Sequence, residues 1–152
     1  MRLQKRRANT NQVWIVNQSR RRLLRRPLTD ALRLTMKGMK LRRSTVSLTL
    51  VDSKTIQRLN QQYRKKNRPT DVLSFSYNLP VSKKENFLGD IVISPAVAAQ
   101  NAKEDGKTVK EEMVLLAVHG LLHLLGYDHE KPNEAKKMFA LQKKWVKKAL
   151  TR

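Results

Sequence analysis

The chain has no cysteine. That absence removes disulfide frameworks and thiolate metal sites together, and it fits a reducing compartment. Long hydrophobic runs are missing too. No segment reaches the ~20 apolar residues that span a bilayer, and the best stretch, 113–127, is too short and contains two histidines. The first residues, MRLQKRRANTNQVWIV, are basic but carry only a short apolar run, so they do not read as a secretory signal. A basic tail over 1–10 on a cytoplasmic protein is the simpler expectation, although an organellar transit peptide, and hence a matrix location, shares this Arg-rich, acid-poor composition. Acidic residues are scarce: 12 Asp plus Glu stand against 33 Lys plus Arg, a formal net charge of +21.

A field of that sign attracts polyanions. Isolated lysines usually mean only a solvated helix face, but here Arg20-Arg21-Arg22, Arg25-Arg26 and Arg42-Arg43 cluster in the first third of the chain. Nucleic acid or ribosomal surroundings are therefore the expected partner class, ahead of an anionic membrane surface. With 152 residues, 39% hydrophobic and 30% charged, the chain reads as one globular domain over 1–152.

Val13-Trp14-Ile15-Val16 suits a first strand, and the residues after Pro27 place Leu28, Ala31, Leu32, Thr35 and Met36 on one helix face. TVSLTLVD at 45–52 alternates apolar and polar residues with a period of two, as a half-buried strand does. Asp52 or Ser53 can cap the next helix, in which Ile56, Leu59 and Tyr63 recur at helical spacing. Further strands fall at 71–77 and 87–94, and Ser94-Pro95 offers an N-cap serine and a first-turn proline for a helix over 95–104. Thr108 with Glu111 forms a capping box, and Pro132 opens a last helix whose Ala135, Met138, Leu141 or Gln142, and Trp145 turn inward. The order predicts an α+β or α/β sandwich: a small mixed four-stranded sheet against helices.

The segment HGLLHLLGYDH at 119–129 holds all three histidines of the chain. The helix predicted from 109 to about 125 is apolar nearly all round, which marks the buried centre of a domain. His119 and His123 are one turn apart on one face, and Gly126 supplies a left-handed residue that ends the helix and returns His129 toward them. Hydrogen-bonded core histidines are the bland alternative. Three imidazoles at i, i+4 and i+10 around a helix-ending glycine favour a bound metal, with Zn²⁺ the best fit and nickel, copper or iron able to use the same ligands. Three protein ligands leave a fourth position open, the pattern of a catalytic rather than a closed structural zinc. Asp128 is a fourth ligand or, preferably, an outer partner of a histidine.

The spacing matches the metzincin protease pattern H-E-x-x-H-x-x-G-x-x-H at every histidine and at the glycine. It departs at Gly120, where the protease keeps its general-base glutamate. A zinc peptidase is disfavoured on that ground and by the charge.

Together with LNQQYRKKNRPTDVLSF at 59–75 and FLGDIVIS at 87–94, the histidine segment resembles the YbeY family of metal-dependent endoribonucleases. The resemblance implies a single α+β domain with one zinc on a central buried helix, held by His119, His123 and His129. It also implies hydrolysis of single-stranded RNA, with a role in 3′-end maturation of small-subunit ribosomal RNA and in ribosome quality control. By position, Arg64 is similar to the family's functional arginine and His119 carries a catalytic part besides ligation; Arg64, Lys65 and Lys66 are the expected RNA contacts. A guanidinium near the metal suits phosphodiester cleavage, because negative charge develops on the phosphoryl oxygens. Asn67 stands where an acidic residue is common in the family, which removes a charge beside Arg64. The rival from another class is a ribosome-associated maturation factor whose metal only stabilises the fold.

Overall fold

The computed structural model describes residues 10–22, 24–77 and 86–151. The expected basic tail lies outside these, apart from Thr10. Among the described residues, nine elements follow in the predicted order: β1 (Gln12–Asn17), α1 (Arg25–Gly38), β2 (Ser44–Leu50), α2 (Ser53–Arg64), β3 (Val72–Ser76), β4 (Asn86–Ile93), α3 (Pro95–Glu104), α4 (Val109–Leu124) and α5 (Pro132–Leu150). They form a single α+β domain with a mixed four-stranded sheet ordered β1-β2-β4-β3. β1 and β4 run parallel to β2, whereas β3 is the antiparallel edge strand.

Alternation decides which side chains see which helix. In β2, Ser44, Val46, Leu48 and Leu50 are buried while the residues between them are partly exposed. Ile15, Leu48, Ile91 and Ser74 lie in register across the four strands, and this row faces the main core. That core joins Leu28, Leu32 and Met36 of α1, Met113, Val114, Leu121 and Leu122 of α4, and Met138 and Trp145 of α5. Fully burying one such leucine contributes about 1.5–3 kcal/mol. The opposite face carries a smaller cluster, in which Ile56 of α2 meets Leu73, Val92 and Val51.

Two caps form as the sequence predicts: Asp52 accepts from Thr55 N–H at 2.8 Å and Thr108 from Glu111 N–H at 3.1 Å. Three local expectations are corrected. Ser94 holds the N-cap position of α3 and is buried, but its hydroxyl makes no capping bond. α1 begins at Arg25, so Pro27 sits inside the first turn rather than ahead of it. In α2, Tyr63 is exposed and Asn60 is buried in its place. The amide of Asn60 donates to Arg68 O at 2.9 Å and ties down the loop after the helix, a long-range bond that apolar periodicity does not register.

α4 is the central helix, packed against α1, α3, α5 and the strands β3 and β4. Gly120 lies where it crosses the sheet. A Cβ at Gly120 would come 2.7 Å from Ile91 Cγ2 and 3.1 Å from Ser74 Oγ, and the Ser74 hydroxyl donates to Gly120 O at 3.2 Å. The position that a glutamate fills in the protease pattern is thus a helix–sheet contact with no room for a side chain.

Candidate metal centre

His119 and His123 project from the last two turns of α4, with their Nε2 atoms 3.1 Å apart. The helix then ends in a Schellman motif: Tyr127 N–H donates to Leu122 O, and Gly126 N–H to His123 O, with Gly126 at φ +96°. Asp128 shapes the return. Its Oδ1 accepts the N–H of His129 at 2.7 Å and of Glu130 at 3.3 Å. His129 is brought back to 5.8 Å from His119 and 5.2 Å from His123, ring to ring. One nitrogen from each ring then lies within 4.8 Å of the others. Tetrahedral zinc spaces its nitrogen ligands about 3.3 Å apart, so the set needs only modest ring movement to close on one ion.

Protonation agrees with this. Burial, followed by the neighbouring histidines, lowers the His123 pKa to about 4. Burial also lowers that of His119, opposed by a hydrogen bond to Gln142. Both rings are therefore neutral at pH 7. His119 Nδ1 lies 2.7 Å from Gln142 Oε1, and because a carbonyl oxygen can only accept, the proton sits on Nδ1 and the Nε2 lone pair faces the other rings. A neutral imidazole with its tautomer fixed, as at His119, suits a borderline-soft divalent cation. The residues fit a metal.

The three histidines line a cleft of about 270 Å³ together with Arg64, Thr70, Asp71, Val72, Ser74 and Phe139. Arg64 is the exposed last residue of α2; Lys65 follows as a left-handed C-cap at φ +58°. Lys65 and Lys66 are exposed and do not line the cleft. Asn67 turns back to α2, where its Oδ1 accepts from Gln57 at 3.1 Å.

Sequence reasoning missed Asp71, Ser74 and Phe139 at the cleft and the pairing of Gln142 with His119. Asp71 had a usable signal, a carboxylate beside the Pro-Thr turn after Arg64. It is engaged, accepting from Val72 N–H at 2.8 Å and from Asn101 at 3.2 Å. Gln142 had only its place in the inward stripe of α5.

A mixed α+β fold whose central helix and following turn bring three imidazoles together in one cleft with an arginine defines a class of proteins with a histidine-only site that could hold a metal ion. The sequence matches the family model described as Endoribonuclease YbeY over residues 8–150. The chain belongs to that family. Similar curated proteins, each named Endoribonuclease YbeY, include one from Sulfurihydrogenibium sp. (44% identical over 118 residues, 77% of this chain and 78% of the relative). Others come from Myxococcus xanthus (47% over 119 residues, 77% of this chain and 40% of the relative) and Persephonella marina (48% over 99 residues, 64% and 65%). The chain is also similar to the solution structure of TM1509 from Thermotoga maritima, with a TM-score of 0.67 and 33% identity over 90% of this chain and 88% of that one. No helix among the described residues is long and apolar enough to cross a membrane.

Proposed function

We propose that this protein is a zinc-dependent endoribonuclease that cuts single-stranded RNA in the cytoplasm, acting on the 3′ end of small-subunit ribosomal RNA and in ribosome quality control. The observation that carries the reading is the meeting of His119, His123 and His129 with Arg64 across one cleft. His119, His123 and His129 would hold the ion, which when bound polarises a phosphoryl oxygen or supplies hydroxide at neutral pH. Arg64 orients the scissile phosphate and offsets the charge that grows on its oxygens. Gln142 keeps the proton of His119 on Nδ1, and Asp128 holds the turn that returns His129. Lys65 and Lys66, outside the cleft, meet flanking phosphates, and the net charge of +21 draws in the polyanion and the small ribosomal subunit.

Against a purely structural ion stands the openness of the site: His129 is exposed and the cleft leads straight to the imidazoles. A cleavage assay on single-stranded RNA separates the two, with Arg64→Ala and His119→Ala as controls. Cleavage lost in both variants supports the enzyme; cleavage that survives both assigns the activity to a contaminant.

A further inference from the structure

On the sheet face opposite α4, Trp14, Ser47, Asp90 and Phe75 lie in register across all four strands. Trp14 meets Phe87 at 5.9 Å between ring centroids, and Phe87 meets Tyr77 at 5.6 Å. Tyr63 of α2 packs edge-on against Phe75 at 5.0 Å. Five of the chain's eight aromatic residues are thus gathered here. Packing accounts for Phe75, which is partly buried beside Ile56 and Leu73. It does not account for Trp14, Tyr63 and Tyr77, which remain 55%, 59% and 45% exposed. Holding large apolar rings half in water costs free energy that a stacking ligand recovers.

Charge selects the ligand. Trp14 also lines a groove of about 1500 Å³ with Arg33, Lys37, Lys40, Arg42 and Arg43, and among the described residues no acidic one shares that lining. At the other end of the aromatic group, Tyr63 directly precedes Arg64 of the histidine cleft. The one carboxylate in the register row, Asp90, accepts the Tyr77 hydroxyl at 2.5 Å. Rings that offer flat faces, between a cationic groove and an arginine, match a strand of unpaired bases joined by phosphates.

We propose that the part of this face left uncovered by α2 is a stacking platform for single-stranded RNA, with bases against Trp14, Phe87 and Tyr77 and phosphates along the basic groove beside β1. The platform rests on the endoribonuclease reading only for the identity of the polymer. It lies on the far side of the sheet from α4 and extends the RNA path beyond the cleavage centre. Because every base has a π-face, the platform tolerates any sequence.

The test is binding of the purified full chain to a fluorescein-labelled 2′-O-methyl oligoadenylate of about 12 nucleotides, within the footprint such grooves take, read by anisotropy. An abasic strand of equal length and charge runs beside it. Trp14→Ala should weaken binding of the base-bearing strand roughly tenfold while leaving the slope of log affinity against log salt unchanged. Trp14→Phe should restore most of that loss, and the abasic strand should not distinguish the three proteins. Tyr77→Ala gives a second reading at an exposed position should Trp14→Ala fold poorly. Equal affinity of wild type and both alanine variants for the base-bearing strand overturns the platform. Binding does not depend on cleavage, so an RNA-binding, Trp14-dependent protein that cuts nothing would sink the enzyme reading alone.

Discussion

Two helices deliver the groups that meet in the cleft, and they are held in different ways. α4 is buried along most of its length, from Glu112 to Leu122, and contributes His119 and His123. α2 buries only Ile56 and Asn60, lies against the smaller cluster and ends in the exposed Arg64. A metal site needs its ligands held within about 0.5 Å, which a helix locked on four sides provides. An arginine that follows a phosphate through a reaction needs reach more than rigidity. The centre is built on the most deeply buried helix and its cationic partner on one of the most exposed.

The largest break in this comparison is His123→Ala. It removes a proposed metal ligand from α4, and RNA cleavage should fall to background in a gel-based assay while the far-UV circular dichroism spectrum stays native. Next comes Arg64→Ala on α2. Loss of one transition-state contact should lower kcat by about 10²-fold with Tm unchanged, because the side chain is exposed. Gln142→Leu removes the acceptor that fixes the His119 tautomer, and competition with a chelator should show metal affinity lowered roughly 10–100-fold. Gly120→Ala tests the packing of α4 rather than its chemistry: the added Cβ presses on Ile91, at an expected cost of about 1–3 kcal/mol in urea unfolding.

The smallest effect concerns Glu112, which is buried on α4 with its Oε2 3.9 Å from Lys107 Nζ. Burial raises its carboxyl pKa, and Lys107 only partly opposes that. The folded state therefore holds this proton more tightly than the unfolded chain, and stability falls as pH rises from the unfolded pKa through the raised folded one. Glu112→Gln should abolish that fall and raise Tm at pH 7 by roughly 2–4 °C, measured by calorimetry across pH 4–8.

The same contrast explains what was legible in the sequence. Strand alternation, the buried face of α1 and the all-round apolarity of α4 are local patterns with fixed periods, so these elements were readable within a few residues. The histidine triad was readable because one helix turn and one glycine carry all of its geometry. Asp71, Ser74, Phe139 and Gln142 reach the centre from β3, its preceding loop and α5 through tertiary packing, and no spacing in the chain encodes that approach. Tyr63 misled because the helical period marks a face but does not say where the sheet beneath it stops; Phe75 covers only one edge of the ring. Gly120 was read as a missing base. It is also a packing residue, and the two meanings agree, since a helix pressed this close to Ile91 leaves no space for a glutamate.

On the proposed function, α4 and the turn after it hold a metal that α2 serves with an arginine. Elemental analysis of purified wild type and of His129→Ala tests it most directly. One zinc ion per folded wild-type chain is expected, with most of that zinc lost in the variant. A wild-type protein that folds and cleaves RNA without bound metal, or a His129→Ala protein that keeps its full complement, would contradict it.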